Sequence, residues 1–133
     1  MITGLAHVCF VVSDLDASIT FYRDKLGLRP AFDFINDEGE RFGIYFRLGH
    51  RTFLELFRGE VGKPAERPSF QHFCLEVEDI EATVAQMKAN GVAVGEVTLG
   101  SDNSWQAWLN DPDGNRIELH AYTPESKQVK AMG

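Results

Sequence analysis

The chain contains one small unit twice. Gly4 to Ala17 reads Gly-Leu-Ala-His-Val-Cys-Phe-Val-Val-Ser-Asp-Leu-Asp-Ala, and Ser69 to Ala82 reads Ser-Phe-Gln-His-Phe-Cys-Leu-Glu-Val-Glu-Asp-Ile-Glu-Ala. At that one offset His7/His72, Cys9/Cys74, Val12/Val77, Asp14/Asp79 and Ala17/Ala82 are identical. A second echo lies downstream, where Phe53-Leu-Glu-Leu matches Arg116-Ile-Glu-Leu and pairs Glu55 with Glu118. A repeat of about half the length, in a chain of 133 residues, implies two modules sharing one domain rather than two independent domains. The modules are expected at about 4–58 and 69–122. The linker 59–68 is polar and rich in Pro and Gly, and the tail 123–133 is expected to be peripheral.

Hydrophobic patterning gives each module the same order of elements. Ala6 to Val12 is a short apolar run bounded by Ser13-Asp14, as a buried strand is. Ser13 with Asp16 three residues on resembles a capping box. Leu15, Ile19, Tyr22 and Leu26 then fall on one helix face, and Gly27 ends the helix. Strands are expected near 29–36, 41–48 and 51–58, joined by turns at Asp37-Glu-Gly39 and Gly49-His50. The second copy predicts a strand over Phe70 to Val77 and a helix carrying Ile80, Val84 and Met87 on one face before Asn90-Gly91. Strands near 93–98, 104–110 and 115–122 follow, with a hairpin at Asp111-Pro-Asp-Gly114-Asn115. The fold class is therefore α+β, two tandem βαβββ modules.

Strand parity puts His7, Cys9 and Val11 on one face and Val8, Phe10 and Val12 on the other. Glu55 shares a face with Phe53 and Phe57. His72 shares one with Cys74 and Phe70, and Glu118 shares one with Arg116 and His120. A carboxylate buried among aromatic rings needs a compensating partner. Two imidazoles and two carboxylates supplied in pairs by a duplicated unit, His7, Glu55, His72 and Glu118, form the ligand set of a divalent metal site. Mixed N/O ligation suits Ni, Zn, Co, Mn or Fe(II), and ligand type does not choose among them.

Composition narrows the partners. A formal charge of −7 with a pI near 5.0 opposes nucleic acid and anionic membranes as ligands. No apolar run approaches the roughly 18 residues of a membrane span. The Met1-Ile-Thr-Gly start lacks a basic n-region, and two cysteines at equivalent positions are not a disulfide framework. The expectation is a cytoplasmic protein acting on a small molecule.

Three motifs in order carry a family resemblance: Ala6-His7 through Asp14-Leu15, Phe21-Tyr22 through Leu26-Gly27-Leu28, and Asp111-Pro-Asp-Gly-Asn-Arg-Ile-Glu118-Leu. Over residues 4 to about 122 the chain resembles the vicinal oxygen chelate superfamily of glyoxalase I, bleomycin-resistance proteins and extradiol dioxygenases. His7, Glu55, His72 and Glu118 match the four ligand positions of glyoxalase I. The resemblance implies paired modules curling open sheets around one divalent ion per site. It implies isomerase or lyase chemistry by proton transfer on a chelated α-hydroxycarbonyl substrate, with Glu118 or Glu55 as the base and Glu118 favoured. It also implies a two-fold homodimer whose modules either close each site within one chain or, as in glyoxalase I and favoured here, combine module 1 of one chain with module 2 of the other.

Two positions depart from that pattern. Glyoxalase I carries an arginine four residues after the first ligand and an asparagine four after the second, both gripping glutathione; here Val11 and Gly59 stand there, with Arg58 as a partial substitute. The resemblance also admits an Fe(II) extradiol-type dioxygenase or a thiol transferase of the fosfomycin-resistance type. Both use His7, His72 and Glu118 and leave Glu55 without a role. A metal-free drug-binding protein would have no use for the four ligands. Cys9 and Cys74 either line the cavity or serve as small hydrophobes. Trp105 and Trp108 point to opposite faces, so one of them walls a pocket or both serve sheet packing. Arg116 and His120 either bind an anionic group or lie at a solvated strand end. His50 is expected to be exposed.

Overall fold

A computed structural model describes residues 1–133 and divides them into two compact units, Met1–Ala65 and Glu66–Gly133. In the first unit, β1 (His7–Val12) leads into α1 (Leu15–Ile19). The helix widens into a π-helical segment over Thr20–Lys25 and is followed by β2 (Arg29–Ile35), β3 (Arg41–Arg47) and β4 (Phe53–Arg58). The second unit repeats the plan with β5 (Phe73–Glu76), α2 (Ile80–Ala89), β6 (Thr98–Leu99), β7 (Trp105–Asn110) and β8 (Arg116–Ala121), and adds α3 (Lys127–Ala131). The strand orders are β1-β4-β3-β2 and β5-β8-β7-β6. In each sheet the first and last strands pair in parallel and the other neighbours are antiparallel. Both sheets are open, and the expected tandem βαβββ architecture is the one observed. No helix is long and apolar enough to cross a membrane.

Each module starts its helix in the same way. Asp14 Oδ1 accepts the Ala17 N–H and Asp79 Oδ1 accepts the Ala82 N–H, both at 3.0 Å. Such a cap is worth about 1 kcal/mol. The cap of the first helix is thus Asp14, one residue beyond the expected Ser13. A residue at the cap must offer its carboxylate to the third amide onward, and Asp14 holds the extended backbone that allows this. The apolar helix face expected from Leu15, Ile19 and Tyr22 is buried, and the π segment brings Phe21 inside as well. Leu26 donates to the Phe21 carbonyl five residues back, and Gly27, at φ +79°, ends the segment.

Strand alternation separates two faces. In the first unit Val12, Ile44, Phe46, Leu54 and Leu56 are buried on the side where α1 packs against β4. In the second, Ala107, Leu109, Ile117 and Leu119 are buried with Ile80, Val84 and Met87 of α2. Burying such side chains is worth about 1.5–3 kcal/mol each. The opposite face of each sheet is then free to carry polar groups.

Three expectations are corrected. The strand expected over 93–98 pairs only at Thr98–Leu99. Around Gly95 the chain makes a lone bond to the Trp108 carbonyl, and glycine weakens regular pairing there. The strand expected from Phe70 begins at Phe73, because Gln71 turns its side chain back to the Pro68 carbonyl; His72 therefore sits just ahead of β5. The tail is pinned at Ser126 rather than frayed, although α3 buries no residue of its own. Ser126 is fully buried, its hydroxyl accepts from the Thr123 N–H at 2.8 Å and from Ser104 Oγ at 2.7 Å, and α3 follows it.

Candidate metal centre

Sheet register places both glutamates at the same point of the two units. Glu55 on β4 lies opposite Cys9 of β1 and Tyr45 of β3. Glu118 on β8 lies opposite Cys74 of β5 and Trp108 of β7. Each glutamate is thus central in its sheet, between its module's cysteine and an aromatic residue, on the face away from the helix. His7 is one pairing step from Glu55, at the start of β1 opposite Phe53.

The second unit draws its pair together. His72 Nε2 is 3.1 Å from Glu118 Oε2, and Glu118 is buried at 9% exposure. Two donors bound to one ion at roughly 2.1 Å, at angles near the tetrahedral or octahedral values, lie about 3.0–3.4 Å apart. The observed spacing fits a shared cation. This buried carboxylate meets the His72 and His120 imidazoles and the Cys74 thiol, not a lysine or arginine. A buried carboxylate is stabilised by a bound cation.

The first unit surrounds its carboxylate with rings. The Tyr45 hydroxyl and the Cys9 thiol both hydrogen-bond Glu55. Tyr45 stacks on Phe32 with centroids 4.5 Å apart, and Phe34 meets Phe57 at 5.1 Å. The His7 ring lies 5.8 Å from Tyr45. The Glu55 bond, followed by burial, pushes the Tyr45 phenol up to about 12, so it stays a donor across the physiological range. Burial, with the neighbouring carboxylates, raises Cys9 to about 11 and Cys74 to about 12. Both cysteines are solvent-accessible thiols beside the carboxylates, not small core hydrophobes.

The remaining sequence candidates are also placed. Trp108 lies on the Glu118 face, edge-on to His72 at 4.7 Å, and Arg116 stacks over its ring at 4.0 Å. Trp105 is on the other parity and is exposed. His50 is exposed in its turn. His120 is no solvated strand end: it is 6% exposed, and its Nδ1 is 3.2 Å from Glu118 Oε1. Cys74, Glu118 and His120 form a tight cluster of potential ligand atoms. Val11 and Gly59 touch, since a Cβ on residue 59 would lie 2.7 Å from Val11 Cγ1. Tyr45 was not among the sequence candidates, although alignment of Glu55 with Glu118 makes it the counterpart of Trp108.

An open-sheet βαβββ pair whose modules each present a histidine and a glutamate is the architecture of a class of small-molecule proteins, many of which use a divalent metal. The family model of the Glyoxalase/Bleomycin resistance protein/Dioxygenase superfamily matches residues 4–119, and the chain belongs to that superfamily. It is 31% identical over 131 residues to the metallothiol transferase FosB of Staphylococcus epidermidis, covering 92% of this chain and 84% of that one. It is 34% identical over 125 residues to the lactoylglutathione lyase of Haemophilus influenzae, covering 86% and 90%. Among solved structures, TnmS3, an antibiotic binding protein from Streptomyces sp. CB03234, superposes with a TM-score of 0.73 at 27% identity, covering 92% and 98%.

Proposed function

We propose that the protein is a divalent-metal-dependent enzyme of the glyoxalase type, an isomerase or lyase acting on a small α-hydroxycarbonyl compound. His7, Glu55, His72 and Glu118 would hold one ion in a two-fold homodimer, module 1 of one chain completing each site with module 2 of the other. The observation that carries the reading is the buried Glu118 carboxylate, 3.1 Å from the His72 imidazole and facing no lysine or arginine. The bound ion supplies a Lewis acid that stabilises negative charge on two adjacent substrate oxygens.

The chain's own residues do the rest. Glu118, loosened from the ion, would take the proton from the carbon bearing the hydroxyl through Oε2 and return it to the neighbouring carbonyl carbon, while the hydroxyl proton passes to the adjacent oxygen, so the step is balanced without an oxidant or a reductant. Water exclusion falls to the rings of Phe32, Phe34, Tyr45 and Phe57. Arg116, steadied over Trp108, is available to an anionic substituent. Val11 and Gly59 offer a thiol cosubstrate no polar grip, which argues for a substrate other than the glutathione adduct of methylglyoxal.

Similarity to a metallothiol transferase over 92% of this chain favours a second reading, thiol addition to an electrophile at a three-ligand site of His7, His72 and Glu118. The two readings part at Glu55. Elemental analysis of wild type, Glu55→Gln and Glu118→Gln tests them. Both variants should lose metal under the first reading, because removing a ligand costs heavily in affinity. Full occupancy in Glu55→Gln alone would leave the transferase. The same samples are assayed on α-hydroxyketones, hemithioacetals and fosfomycin with several thiols. The methylglyoxal–glutathione adduct should turn over below about 10⁴ M⁻¹s⁻¹ in kcat/KM. Binding of an antibiotic without turnover and without metal would sink the enzyme reading altogether.

A further inference from the structure

His120 is a polar residue in a place that does not require one. It is buried at 6% exposure, and its counterpart in the first unit, two residues beyond the glutamate on β4, is Phe57. An aromatic hydrocarbon ring therefore satisfies the same position of the same fold. The histidine also carries a penalty, because its Nε2 is buried without a hydrogen-bond partner and Asp102 Oδ2 stays 3.9 Å away. Asp102 is engaged elsewhere, accepting from Gln128 Nε2 at 2.6 Å and from the Ser104 N–H at 3.0 Å. A buried nitrogen without a partner costs about 1–3 kcal/mol and calls for a reason.

The other ring nitrogen supplies the reason. His120 Nδ1 meets Glu118 Oε1 at 3.2 Å, while Glu118 Oε2 faces His72 Nε2 at 3.1 Å. An ionised carboxylate only accepts hydrogen bonds, so Nδ1 must carry the proton. We propose that His120 is a positioning residue that donates Nδ1–H to Glu118 Oε1 and thereby fixes Oε2 as the oxygen presented beside His72. The inference rests on Glu118 being a metal ligand and extends it: one oxygen for the ion, the other for His120. It also breaks the symmetry of the duplication, because Phe57 donates nothing to Glu55. Partners of ligating groups typically change metal affinity by about 10–100-fold when removed.

Cobalt(II) affinity, by competition with a chelator, and the visible ligand-field spectrum are measured for wild type, His120→Phe, His120→Asn and His120→Gln. His120→Phe should fold, as Phe57 does in its place, with affinity lowered about 10–100-fold and shifted cobalt bands. His120→Asn, whose side-chain amide donates from near the Nδ1 position, should restore most of both. His120→Gln, which donates from near Nε2, should not. A folded His120→Phe protein with wild-type affinity and spectrum overturns the proposal. So does equal impairment of the Asn and Gln variants, a comparison that decides the matter if the Phe variant fails to fold. Absence of cobalt binding by wild type overturns the metal reading itself and this inference with it, whereas normal binding by His120→Phe removes only the role of His120.

Discussion

The two modules hold the same carboxylate on the same strand in the same register, and hold it differently. Glu118 lies between two imidazoles and is bonded by the Cys74 thiol, with an indole and a guanidinium stacked beyond. Glu55 is half-buried in a wall of phenyl rings and is bonded by a phenol and a thiol. Duplication thus preserved the backbone and the carboxylate while the surroundings diverged. In unit 2 the polar shell settles the orientation of the carboxylate. In unit 1 the aromatic shell shields part of the carboxylate and leaves Tyr45 as the principal donor. The lesson is that equivalent ligands need not be equivalent in strength. The metal should depend more steeply on the environment of Glu118 than on that of Glu55.

The comparison matters most if each site draws on both kinds of half. The largest effect is therefore expected from mixing two inactive proteins, His7→Ala and Glu118→Ala, under conditions that exchange subunits. In a dimer whose sites are shared between chains, the heterodimer places both lesions in one site and leaves the other intact. Statistical exchange should then restore about a quarter of wild-type activity. If mass measurement confirms exchange and no activity returns, the sites are built within single chains.

A smaller effect probes the aromatic wall. Gly43 is paired with Phe57, and a Cβ there would lie 2.6 Å from Phe57 Cδ1 and 2.9 Å from the Leu56 carbonyl oxygen. The ring cannot simply retreat, because Phe57 is stacked against Phe42 and packed on Phe34. Gly43→Ala should destabilise the protein by about 1–3 kcal/mol in urea unfolding. Phe57→Leu in the same chain should recover part of that loss. The corresponding pair in unit 2 is Gln106 and His120. Gln106→Ala should cost well under the Gly43→Ala figure, since no wall of rings leans on that position. Equal losses would mean that the two faces are packed alike.

The repeat made the fold legible, because one alignment brings strands, helices and both histidine–glutamate pairs into register. The heptad-like face from Leu15 to Leu26 and the Asp-Pro-Asp-Gly hairpin were readable for the same reason: period and turn chemistry are local. What escaped was set by contacts across strands. Tyr45 meets Glu55 only through β3–β4 pairing, and sequence separation gives no hint of it. The sequence leaves His120 open between an anion-binding residue and a solvated strand end, because nothing local shows what packs over it. In fact Ser126 is buried, and Gln128 holds Asp102 near the imidazole. The short β6 escaped because apolar alternation over 93–98 does not reveal where a glycine interrupts pairing.

The smallest expected effect tests the phenol against the indole. Tyr45 and Trp108 occupy equivalent positions opposite the two glutamates. Tyr45 donates to its carboxylate, whereas Trp108 turns its ring to His72 and Arg116. Tyr45→Phe removes one hydrogen bond and little volume. A bond to a charged group is worth about 1.5–3 kcal/mol when buried, and half-exposure of Glu55 lowers that towards about 1 kcal/mol. Metal affinity should therefore fall by up to about fivefold in chelator competition, and the melting temperature of the metal-free protein should drop by a few degrees, since the bond is present there too. Trp108→Phe keeps an aromatic edge beside His72 and removes no bond to Glu118, so its affinity should stay within about twofold of wild type. If Trp108→Phe weakens metal binding as much as Tyr45→Phe does, the donor is not what distinguishes the two shells, and ring packing alone would have to hold both carboxylates.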